Sequence, residues 1–418
     1  MAEVVAGLWA AEEVVSTGVQ AGAAGYAIAK PTMPLKATFS QLASTMDDKS
    51  SSSLIRSHHT VTIVNKKAYI FGGWTSHEKL ASNDIHSIAL PVKGAPAPEY
   101  QVLPAIATGE SKPVPTPRTN HAACALGTRI AIYGGCDEVG KLVDEGSRIW
   151  LYDTEKSSWD ILEPSSHPER VPPPRSNGKL FSHDGNLILY GGLDYSGSPL
   201  TDVWRFDCCA NVWNQFPHAP VATKSAALSG DTLYLITASG LLSNDIHSLK
   251  VRVSAEPPTW ETISFPINPL TPGPKSRENG GLVPVTTGYG RNYLLYFFGE
   301  QRNMASHGGF LQWSDLWTFQ LPSSDLEPHA STNVTEAIKP AKIKDQIRSQ
   351  LGADTGRSTW AEVEVQAPGD RQAQGKAHPG PRSSFGYDVT ADKTKVVVWG
   401  GIDAKGVPQG DGWVIELT

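Results

Sequence analysis

The chain has 418 residues, of which 39% are hydrophobic and 19% charged, with a formal net charge of −6. That composition supports a sizeable buried core and excludes a disordered chain. The slightly acidic balance excludes the basic stripe of a nucleic-acid-binding surface.

From the N-terminus, residues 1–29 are rich in Ala, Val and Gly and contain no Lys or Arg. Glu3, Glu12 and Glu13 stand where a secretory leader needs basic or apolar residues. The glycine-rich stretch from Val14 to Ala29 is too short for a bilayer span. The reading is a soluble cytoplasmic protein with residues 1–30 as a helical extension, roughly Ala2 to Ala24. Cys124, Cys136, Cys208 and Cys209 form no C-x-x-C pair and read as reduced thiols. In such a compartment the sequon Asn333-Val334-Thr335 carries no glycan.

One unit then recurs along the chain. It opens with Pro-Arg or similar before a short strand. An apolar run ending in Gly-Gly follows, then a variable loop, then an Asp-aliphatic-Trp/His strand, and last a Trp opening a fourth strand. The first copy holds Arg56-Ser57-His58-His59, AYIFGG ending at Gly73, and DIHSI from Asp84. The second holds Pro117-Arg118, IAIYGG ending at Gly135, Arg148 to Asp153, and Trp159. The third holds Pro174-Arg175, LILYGG ending at Gly192, DVWRFD from Asp202, and Trp213. The fourth has lost the glycine pair but keeps DIHSL from Asp245 and Trp260. The fifth has YLLYFFGE ending at Glu300, DLWTF from Asp315, an insertion over 323–358, and Trp360. Ile338, Ile343, Ile347 and Leu351 give that insertion near-helical spacing. The sixth has Pro381-Arg382, VVVWGG ending at Gly401, and GWVIEL from Gly412.

Four short strands cannot bury both faces of their own sheet, whereas sheets set radially around an axis can. The expected fold is therefore all-β: a six-bladed propeller over 31–418. The sixth unit lacks a fourth strand. Leu35 to Leu42 (LKATFSQL) alternates like one, with Phe39 in the tryptophan's place. It is expected to pair with the last strand and close the ring, removing open edges.

The pattern resembles the kelch family of β-propellers across roughly Pro31 to Thr418. In layout it is similar to stand-alone kelch proteins of fungi, and more distantly to nitrile-specifier proteins and the galactose oxidase propeller. The third kind carries copper, for which no Tyr–His constellation stands out here. The second kind implies iron on Glu-x-x-x-Asp-x-x-x-His, but no glutamate in this chain has an aspartate four residues on. The Walker A, H-E-x-x-H and G-x-S-x-G motifs and a dinucleotide fingerprint are absent as well.

Connectivity places the unit openings and the residues after each Gly-Gly on one face, where loop-borne polar residues on a rigid scaffold commonly act. The openings supply Arg56, Arg118, Arg175 and Arg382. Because they recur in register, these arginines also read as braces. Asp137, Asp194 and Asp403 recur after the glycines, as brace partners or turn formers. Trp74, His77, Tyr195, Glu300, Arg302 and His307 do not recur and are the sharper candidates. His86 and His247 replace the third-strand Trp and read as structural.

Two functions follow. One is a binding module that grips a protein or peptide partner on this face, acting as a monomer or homodimer without nucleic acid or membrane. It needs no cofactor, and kelch domains often act this way. The other is a small-molecule lyase, cyclase or isomerase working in an axial pocket lined by Trp74, Tyr195, Glu300, Arg302 and His307. There Glu300 and His307, helped by Asp137 or Asp194, offer ligands to an iron-like divalent metal.

Overall fold

The computed structural model describes residues 35–43, 54–75, 79–91, 99–109, 112–165, 170–237, 245–252, 257–265, 273–287, 291–302, 309–321, 358–366 and 378–417. The helices expected over 1–30 and within the 323–358 insertion lie outside them. Among the described residues no helix is long and apolar enough to cross a membrane.

The described residues form a six-bladed, all-β propeller. Blade three shows the plan: Lys179–His183, Asn186–Leu193, Pro199–Asp207 and Val212–Phe216, antiparallel and in sequence order. Its second strand is the most deeply placed, with Leu187, Ile188 and Leu189 all fully buried. Side chains on both faces of that strand meet a neighbouring blade, so it is continuously apolar. The outermost strand is largely solvent-facing instead. Trp213 points inward, while Asn214 and Gln215 meet solvent.

The core is divided among the seams between blades. One cluster joins blades two and three through Tyr133, Leu151, Leu189 and Trp213. Another joins blades six and one through Val397, Trp399, Val61 and Ile70. With the other four clusters, every seam of the ring is filled.

Closure follows the sequence expectation. Lys36–Ala43 runs antiparallel to Gly412–Leu417, pairing Ala37 with Leu417 and Phe39 with Ile415. Phe39 is buried, its ring 4.3 Å from that of His378. One feature was not expected. Glu364–Val365, from the tail of blade five, lies parallel to Lys36–Ala37 and holds the closing strand from outside. The closing strand is thereby an inner strand of a five-stranded sheet, whose edge on this side is only two residues long.

Candidate functional site

The unit openings and the post-glycine segments do share one face. Isolated bridges join Ser57 to Trp74, Thr119 to Cys136, Ser176 to Leu193 and Glu278 to Glu300. In blade six, Arg382–Ser383 pairs with Ile402–Asp403.

The opening arginines are inside this face, not on it. Arg118, Arg175, Arg277 and Arg382 are at most 1% exposed. Arg175 meets Asp202 through two hydrogen bonds of 2.6 and 2.7 Å, and Trp204 donates to the same carboxylate at 2.6 Å. Arg277 with Asp315 and Trp317, Arg382 with Asp411 and Trp413, and Arg118 with Glu145 and Trp150 repeat the arrangement. Each guanidinium also donates to the carbonyl at the end of its second strand, for example Gly191 at 2.8 Å. These arginines are braces with no side-chain surface left for a partner. Burial alone would raise the Asp202 pKa, but the Arg175 guanidinium outweighs it and holds the carboxyl below the usual range.

The brace partners lie in or shortly before the third strand; they are not the aspartates that follow the glycines. Asp137, Asp194 and Asp403 each accept from backbone N–H groups two and four residues on, and so close their own loops. The brace carboxylates had a legible signal. In blades three, five and six an Asp stands two residues before a Trp that hydrogen-bonds it.

Blade one departs from this plan. Arg56 is buried, but its Nη2 donates to His86 Nε2 at 2.8 Å, and the His86 Nδ1 side meets Tyr100 Oη at 2.8 Å. Burial first, then the Arg56 charge, lowers the His86 pKa to about 4, so the ring is neutral. Burial also brings Arg56 down to about 10.

Two residues past each opening arginine the backbone turns left-handed. His58, Asn120, Asn177, Asn279 and Ser384 all have φ of 54–55°. His58 N donates to Ser384 O, Asn120 N to His58 O, Asn177 N to Asn120 O, and Ser384 N to Asn279 O. This hydrogen-bonded collar rings one mouth of the axial cavity. Blade four supplies Lys224 instead, whose Nζ donates to Asn279 Oδ1 at 3.0 Å. Burial and the nearby Lys224 lower the His58 pKa, against an opposing pull from Glu300.

Glu300 is tied into this collar. Its two carboxylate oxygens accept from Asn279 Nδ2 at 2.6 Å and Ser383 Oγ at 2.7 Å. Asp137 and Asp194 are committed to their own loops and are not among these partners. The axial cavity, about 720 Å³, is lined by the innermost strands and the collar, including Lys179, Lys224, Tyr387 and Asp388. Trp74, Tyr195, Glu300 and Arg302 do not line it, because they follow the second strand, one place farther from the axis. His77 and His307 lie outside the described residues. Among the described residues no three His, Cys, Asp or Glu groups stand together as metal ligands.

The fully braced plan of blades two and three is also where a family model matches. The kelch motif model covers residues 117–166 and 174–219. Blades two and three are kelch repeats. Kelch domain-containing protein 3 of Homo sapiens is 25% identical over 174 residues, covering 38% of this chain and 40% of that protein. Tip elongation aberrant protein 3 of Schizosaccharomyces pombe is 27% identical over 185 residues, 38% of this chain and 15% of that protein. The chain thus spans less than half the length of these relatives. The solved structure of YjhT aligns with a TM-score of 0.56 at 13% identity, over 87% of this chain and 97% of that one, a likeness of fold.

What sequence reasoning missed on this kelch face is apolar. Val139 is 86% exposed, Phe310 60% and Val407 50%. Each belongs to the loop after the second strand, in blades two, five and six. Tyr195, 60% exposed, holds the same place in blade three and donates to Asp144 Oδ2 of blade two at 3.1 Å. Arg302, exposed at the end of a short hairpin, stands across from Phe310.

Proposed function

We propose that this kelch propeller is a binding module that takes a protein or peptide partner on the face bearing the collar and the post-glycine loops. The observation that carries the reading is the apolar ring of Val139, Tyr195, Phe310 and Val407. Apolar side chains raised on four loops of one face, around a polar centre, fit a partner that covers them and leaves a polar rim. Braces beneath the loops hold this surface in one shape, so little ordering entropy is lost on association. The general association of kelch repeats with protein interaction supports the reading.

The test is quantitative affinity capture with wild type, with a face variant (Val139→Ser, Tyr195→Ser, Phe310→Ser, Val407→Ser) and with an outer-edge control (Val102→Ser, Ile106→Ser). A partner retained by wild type and by the control, but lost by the face variant, is the expected result. Equal retention by all three proteins would sink the reading.

A further inference from the structure

The axial cavity contains a cation that the partner-binding face does not explain. Lys179, on the innermost strand of blade three, reaches across the axis to blade six, the blade opposite. Its Nζ stands 3.3 Å from Tyr387 Oη and 5.5 Å from the centre of that ring. Tyr387 is itself fixed, its ring 5.6 Å from those of Phe297 and Phe385. Lys179 is therefore preorganised within the cavity, but with one neutral hydrogen-bond partner for an ammonium that carries three donors. Among the described residues it has no carboxylate within ion-pair distance.

The carboxylates that line the same cavity do not serve it. Asp231 holds His183 Nε2 at 2.9 Å. Asp388 accepts from Ile63 N at 2.7 Å and from Val389 N. Asp184 is a mostly exposed residue of a hairpin turn. Lys224 enters the cavity from blade four, next to blade three, and its closest carboxylate is the largely exposed Glu278 at 3.5 Å. Two ammonium groups from adjacent walls thus line one cavity. Lys179 lacks a carboxylate and Lys224 has only a long, largely exposed one, so an anion between the two could take up the donors they leave over.

We propose that the axial cavity is a binding site for a small free anion carrying a carboxylate or phosphate group, held by Lys179 and Lys224. The site is separate from the apolar ring and stands whether or not a partner binds there.

Calorimetric titration at low ionic strength with succinate and with inorganic phosphate tests it. The expected result is saturable one-to-one binding of at least one anion. Lys179→Met and Lys224→Gln should each weaken it about tenfold or more, and Lys179→Arg should retain it. Lys112→Gln, which removes a surface lysine paired with Asp160, should leave binding unchanged. A purely structural Lys179 would instead lower the unfolding midpoint of Lys179→Met without changing anion affinity. The proposal fails if neither anion saturates, if Lys179→Met binds like wild type, or if Lys112→Gln weakens binding equally. Should Lys179→Met not fold, Lys179→Arg and Lys224→Gln decide, since the first must bind and the second must not bind comparably.

Discussion

Blades three and four have the same four antiparallel strands in the same order, but they are finished differently. Blade three has Arg175, Asp202 and Trp204 locked together, a glycine pair, and Trp213 at 3% exposure. Blade four has no arginine ahead of its first strand and no glycine pair, and its Trp260 is only partly buried. In blade four His247 bonds Thr237 and Thr262 where blade three has Trp204 on Asp202. The strand pattern therefore suffices to make a blade, and the kelch signature residues set how its loops are held at the face. Where they are missing, in blade four, the hydrogen-bonded collar is interrupted and Lys224 fills the place.

The largest effect that would test this difference is at the brace. Arg175→Ala leaves Asp202 buried without its cation and should lower unfolding stability by about 3–5 kcal/mol in denaturant titration. Adding Asp202→Ala should recover part of the loss, because the orphaned charge is gone. A double variant no better than the single one would mean that the brace acts through packing alone. Next in size is Trp213→Ala, with an expected loss of about 3–5 kcal/mol. Trp260→Ala should cost clearly less, and equal losses would erase the distinction between the two blades.

The last effect depends on pH and concerns the buried histidines of blades one and two. His86 and His121 are lowered to about 4 and about 3 by burial first, and His59 well below its ordinary value for the same reason. Their folded pKa values lie below the unfolded one near 6.5. As pH falls through 6.5 the unfolded chain takes up protons that the fold refuses, so stability should fall between about pH 6.5 and 4. Asp388, raised to about 6 by burial, acts in the opposite sense over the same window but is one group against three. Unfolding midpoints at several pH values, with the imidazole resonances followed by NMR, check the sign. Flat midpoints over that window would remove these three histidines from the balance.

The blade count, the second-strand positions and the closing strand were all legible in the sequence, because alternation and repetition record burial directly. None of Glu145, Asp202, Asp315 and Asp411 was read as a brace partner, because the aspartates after the glycines recur just as regularly. Blade five looked irregular at Gly299-Glu300. The structure shows Phe298 taking the first glycine's place at φ 53°, and its carbonyl accepts from Arg277 at 3.0 Å. A bulky residue in that conformation is uncommon, and no sequence rule would assign it there. Recurrence in register already marked the arginines as braces, but how completely they are buried could not be read until their carboxylates were known. The apolar loop tips went unnoticed because a single valine in a loop has no periodicity to report it.

Pairing Ala37 with Leu417 also sets an order in time. The strand that closes the ring is made long before the strand it pairs with. Until then the outer faces of blades one and five have no neighbour to cover them, and Lys36–Ala43 has no antiparallel partner. Joining ends so distant along the chain makes the final step a slow, entropically costly search. Refolding should therefore show blades forming before the ring closes, with the half-finished ring as the species most prone to aggregate.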